Sequence, residues 1–141
     1  MIQRLQSVWL LFAAVCGFAL TQVPLFVGRL ANNVVKKVIA TESLLLFALS
    51  IGTACLALVC IFLYKNRPLQ FKLTVTGVIL SIIIICLEVL HIEKFKSSTV
   101  LIKASYYWGG LLPIAMTIFF ILASRGIYKD EKLIKSLNRL R

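Results

Sequence analysis

The sequence predicts an all-α membrane protein: an up-down bundle of four transmembrane helices with a cytoplasmic amphipathic C-terminal helix. Three observations predict it. Hydrophobic residues make up 60% of the 141 residues and the mean hydropathy is +0.96, whereas soluble domains are about half apolar. The apolar residues gather into four runs, 8–27, 43–64, 73–92 and 106–123. At ~1.5 Å per residue each run matches a hydrocarbon core of ~30 Å. All 16 lysines and arginines lie outside these runs. Lipid offers no partner to a free backbone N–H or C=O, so the spans must be helical.

The first run, 8–27, has a basic start at Arg4 and an apolar centre. It is too long for a typical signal-peptide core and lacks a small-x-small cleavage site before Arg29, so it reads as an uncleaved first helix. The connection GRLANNVVKKVIATE follows. Leu30, Val34, Val35, Val38 and Ile39 recur there at helical spacing, which favours a short helix on the membrane surface; a β-branched strand is the competing reading. The second run, 43–64, leads into the short loop KNRPLQFK. Pro68 disfavours helix at Arg67, and so short a loop makes the second and third helices antiparallel neighbours. After the third run, 73–92, the segment EKFKSSTVLIKAS contains a β-prone stretch at Thr99–Ile102, which leaves a small strand pairing open. Tyr106, Tyr107 and Trp108 open the fourth run, 106–123, at an interface that such rings prefer. Residues 1–123 thus form the transmembrane domain and 124–141 a basic amphipathic tail, with Leu133, Ile134, Leu137 and Leu140 on one face.

Charge sets the expected orientation. Arg4, Lys65, Arg67, Lys72, Arg125, Lys129, Lys132, Lys135, Arg139 and Arg141 fall on one side, and Arg29, Lys36, Lys37, Lys94, Lys96 and Lys103 on the other. The positive-inside rule puts both termini in the cytoplasm. Small-xxx-small pairs at Ala13/Gly17, Ala48/Gly52 and Gly77/Ser81 suit close helix packing. The cysteines, Cys16, Cys55, Cys60 and Cys86, all lie within the runs. They read as small apolar packing residues, which excludes the loop cysteines of a disulfide-exchanging enzyme and of tetraspanin- or claudin-like proteins. Neither a metal-ligand spacing nor a cofactor motif is present, so no metal and no cofactor is expected.

Among the spans only the third carries an acid, Glu88, followed one turn later by the chain's single histidine, His91. Traced through the topology, Gln22, Glu42, Glu88, His91, Tyr106 and Tyr107 converge at the outer ends of the four helices. The bland reading is a shallow structural contact, with Glu88 bonded to Gln22 or a tyrosine. The functional reading is a proton- or ion-coupled site, because an intramembrane acid is costly unless it faces protein or water. Small four-helix drug exporters keep their acid in the middle of the first helix, and this chain has none there.

The opening MIQRLQSVWLLFAA, the loop LYKNRPLQFKL and the ending SRGIYKDEKLIKSLNRLR carry a family resemblance. Met1–Arg4, Lys65–Arg67 with Gln70 and Lys72, Arg125–Gly126, Lys129–Asp130–Glu131 and Arg139–Leu140–Arg141 are its strongest marks. Together they resemble an uncharacterised four-pass inner-membrane family of Bacteroidota, known as a domain of unknown function. The resemblance spans nearly the whole chain and is weakest in the outer loops. It implies cytoplasmic termini in the bacterial inner membrane; it implies no activity or catalytic residue. The tail carries both charge signs beside an apolar stripe, which reads as a protein surface more than a lipid one, with anionic lipid headgroups as a further partner. The expected function is therefore non-enzymatic: an accessory or scaffold subunit of an inner-membrane complex. Its docking candidates are Lys65, Arg67, Lys72, Arg125, Lys129, Asp130, Glu131, Leu133, Leu137 and Arg139. The alternative is a small proton- or ion-coupled transporter using Glu88 and His91. Nucleic acid is not an expected partner, since no aromatic or glycine-rich platform accompanies the charges.

Overall fold

A computed structural model describes residues 3–30, 34–64, 66–98 and 101–139, with side chains over 5–29, 34–64, 66–98 and 105–133. Four helices carry the chain: α1 (Gln3–Gln22), α2 (Leu44–Phe62), α3 (Arg67–Ser98) and α4 (Leu112–Arg139). Each is long and apolar enough to cross a membrane. α1 packs against α2 and α4, and α3 against α2 and α4, which closes a four-membered ring.

The bundle is apolar outside and partly polar inside. Leu44, Phe62, Leu90, Ile79 and Val15 are exposed, while Ser50, Thr53, Thr74 and Ser81 are fully buried. A soluble protein distributes these residues the other way. The buried hydroxyls satisfy themselves within the bundle. Ser50 donates to the Leu46 carbonyl at 2.7 Å, Thr74 to the Gln70 carbonyl at 2.7 Å, and Thr117 to the Ser81 hydroxyl at 2.9 Å. The first two each lie within one helix, whereas the third joins α4 to α3, and an interhelical bond of that kind contributes about 0.6 kcal/mol in lipid. Close packing supplies much of the rest. A Cβ added at Gly17 would lie 2.9 Å from the Ala54 Cβ, so glycine lets α1 and α2 approach closely. The Ala48/Gly52 pair makes no such contact: nothing lies within 4 Å of a Cβ built at Gly52.

The all-α expectation needs one correction. Strands β1 (Pro24–Leu30), β2 (Val35–Ile39) and β3 (Leu101–Tyr106) form an antiparallel sheet in the order β2-β1-β3. The surface helix expected in the first connection is instead the β1/β2 pair, and the pairing left open for Thr99–Ile102 is realised in β3 from Leu101 on, while Thr99 and Val100 lie outside the described residues. Pro24 explains the switch. It has no amide to continue the α1 ladder, and it disfavours helix at Val23. Once the chain is extended, Val27, Val35, Val38 and Ile39 suit a half-buried sheet. The span expected at 8–27 therefore ends as helix at Gln22. The run expected at 106–123 begins as the end of β3 and a 3-10 turn (Trp108–Leu111) before α4 starts at Leu112.

The sheet caps one end of the bundle through Phe26. Phe26 is fully buried and pairs across the strands with Val38 and Tyr106. Its ring meets Tyr106 edge-on at 5.4 Å and Phe95 of α3 at 6.2 Å. Lys96 closes this layer, 5.2 Å over the Phe26 ring and 3.0 Å from the Tyr106 hydroxyl. Glu88 lies ~27 Å along α3 from Gln70 at ~1.5 Å per residue, so α3 connects this sheet end to a second polar region, the tail end.

Candidate functional sites at the two ends of the bundle

At the sheet end the predicted polar residues divide into two groups. Glu42, in the 3-10 turn before α2, faces His91 of α3 with 4.0 Å between carboxylate and imidazole, close enough to pair when the histidine is protonated. Glu88 turns elsewhere. It lies on the buried stripe of α3 with Ser81, Ile84 and Ile92, and only 5% of its surface is exposed. Its side chain lines a cavity of about 260 Å³ with Ile85, Tyr106, Tyr107, Gly110 and Ile114. Gly110 admits it: a Cβ built there would lie 3.0 Å from Glu88 Oε1. Among the described residues no hydrogen bond or ion pair reaches the Glu88 carboxylate. The bond expected to Gln22 or a tyrosine is absent, and Gln22 is exposed outside both groups. Glu88 and His91 are thus neighbours along the helix without sharing a partner.

The tail end holds what the sequence reading missed. Gln6 of α1 donates to the Asp130 carboxylate of α4 at 2.6 Å, and both side chains are buried. Gln70 of α3 donates to the Cys60 carbonyl of α2 at 3.0 Å. Gln6, Gln70 and Asp130, with Ser7, Tyr64 and Arg67, line a cavity of about 320 Å³. α4 runs unbroken from Leu112 to Arg139, so the tail expected as a separate helix is an extension of the fourth. Its buried stripe, Pro113, Met116, Phe120, Ala123, Ile127 and Asp130, passes from the apolar run into the tail without a break. Asp130 therefore faces the bundle and is no surface docking residue. Its signal was present at the spacing of three and four residues, hidden by ending the helix at residue 123.

The other docking candidates divide by position. Lys72, Arg125, Lys129, Lys132 and Leu133 are exposed, and Arg67 and Glu131 partly so. Lys65 and the side chains of Leu137 and Arg139 lie outside the described residues. Pro68, Phe71 and Lys72 from the start of α3 meet Tyr128, Glu131 and Lys132 of α4 along one groove of about 380 Å³. The Phe71 and Tyr128 rings lie 6.0 Å apart at its floor, and Tyr128 remains 60% exposed.

The family model for a domain of unknown function, DUF4293, matches residues 2–140. The chain belongs to the DUF4293 family. No curated protein and no solved structure matches it. The match covers both ends of the bundle and the sheet, so all three are parts of a single DUF4293 domain.

Proposed function

We propose that the protein is a non-enzymatic accessory subunit of an inner-membrane complex and docks through its tail-end groove. In this reading the four helices form an up-down bundle across the bilayer with both termini cytoplasmic. The gathering of Gln6, Tyr64, Gln70 and Asp130 around one cavity supports it, because these residues belong to the start of α1, the turn just after α2, the start of α3 and the far part of α4. The positive-inside bias of the loop and tail points the same way.

One observation carries the docking proposal. The segment expected as an inner loop is helical from Arg67 as the start of α3 and is far from the tail in the chain, yet Pro68, Phe71, Lys72, Tyr128, Glu131 and Lys132 line one groove. Its aromatic floor and two exposed lysines suit a protein segment that presents an apolar side chain beside a carboxylate. Beyond the groove the basic tail is suited to anionic headgroups, at roughly 1 kcal/mol per basic residue near the surface. The test is co-purification from native membranes in mild detergent. Tyr128→Ala combined with Lys132→Glu should abolish recovery of a stoichiometric partner, since both side chains are exposed and the bundle does not need them. Unchanged recovery contradicts the proposal. Removing residues 124–141 is a poorer test, because it also deletes buried Ile127 and Asp130.

A second reading rests on Glu88, buried without a partner among the described residues. An acid so placed suits proton- or ion-coupled transport. In proteoliposomes, Glu88→Gln should then abolish a pH-driven flux, and equal flux from both proteins removes this reading.

A further inference from the structure

Glu88 is nearly buried beside hydrocarbon side chains, and among the described residues no hydrogen bond or ion pair reaches its carboxylate. Ile85, Val89, Ile92, Leu111 and Ile114 supply most of the cavity wall. The nearby basic side chains turn elsewhere: His91 faces Glu42 at 4.0 Å, and Lys96 contacts the Tyr106 hydroxyl and the Phe26 ring. Exposed aromatic rings adjoin the cavity: Tyr107, 48% exposed, lines it and, with Trp108, 76% exposed, a neighbouring hollow, while Lys96 already sits 4.8 Å over the Tyr106 ring. A buried acid, an apolar wall and a rim of electron-rich ring faces match one ligand chemistry. The ligand carries a single positive charge on an apolar body, because the acid answers the charge, the wall takes the body, and the rings attract the cation on its way in.

We propose that the sheet-end cavity binds an organic ammonium cation, with Glu88 as its counter-ion and Gly110 as the residue that admits the carboxylate. Two sources share this chemistry: a free lipophilic cation and the amine of a phospholipid headgroup. The inference uses the same carboxylate as the transport reading but needs binding alone, so binding without flux would remove transport and leave the site.

The test is titration of ethidium, a fluorescent lipophilic cation, against the full-length protein in dodecyl maltoside micelles, whose headgroup carries no charged nitrogen, read by fluorescence polarisation. Wild type should bind saturably. Glu88→Gln keeps the size and removes the charge, and should weaken binding roughly 10-fold or more, as expected when a buried charge loses its partner. Gly110→Ala should weaken it too by crowding the carboxylate, whereas Ile79→Ala, on the lipid-facing side of α3, should not. Repeating the titration with phosphatidylethanolamine added to the micelle separates the sources: competition assigns the site to the headgroup amine, and an unchanged curve assigns it to free cations. Either result keeps the ammonium site. No saturable binding, or equal binding by wild type and Glu88→Gln, overturns it.

Discussion

The Gln6–Asp130 bond joins residues 124 positions apart, and it does so where α1 begins and α4 leaves the apolar run. A hydrogen bond to a charged acceptor contributes about 1.5–3 kcal/mol, and removing one partner strands the other. Gln6→Ala and Asp130→Ala should therefore each lower the unfolding midpoint in mild detergent. The double variant should lose less than the sum, with a coupling of about 1 kcal/mol in a double-mutant cycle. Strict additivity would mean that the pair contributes nothing as a pair. Composition marks Asp130 as one acid in a basic tail, and that alone reads as solvated. Only its spacing from Phe120, Ala123 and Ile127 marks it as inward-facing. Glu88 is the opposite case. Its position inside an apolar run made it visible at once, but its separation from His91 depends on the turn that brings Glu42 alongside, which no local pattern encodes.

At the scale of elements, the helices were legible because lipid leaves a long apolar run only one way to satisfy its backbone. The sheet was not. β1 continues the apolar composition of α1, so hydropathy alone runs past Pro24 to Val27, and the β-branched residues of β2 also fit a helical spacing. Pro24 was the available signal, since a proline there ends the ladder of α1. The order β2-β1-β3 makes β1 the strand on which the whole cap depends. Val27→Pro removes an amide from its centre, opposite Lys37 on one side and Ser105 on the other. Hydrogen–deuterium exchange should then show lost protection across 35–39 and 101–106 while the centres of α2 and α3 stay protected. Loss of protection throughout would mean that the sheet organises the bundle and does not merely cap it.

The whole molecule is an apolar-coated bundle with a different chemistry at each end. At the sheet end a closed aromatic layer and a buried acid face a small cavity. At the tail end α4 continues past the apolar run and carries its inner face, through Ile127 and Asp130, against α1. That continuity holds Tyr128 and Lys132 in a fixed position beside Phe71 and Lys72. A groove built from rigid helices needs little ordering on binding, which favours its use as a docking surface. The most direct measurement is site-specific photocrosslinking in native membranes. A crosslinker at Tyr128 should give one discrete adduct with a protein partner, the same adduct should form from position 71, Lys132→Glu should abolish it, and position 79 on the lipid-facing side of α3 should give none. No adduct from positions 71 and 128, or the same adducts from position 79, would contradict docking through the groove.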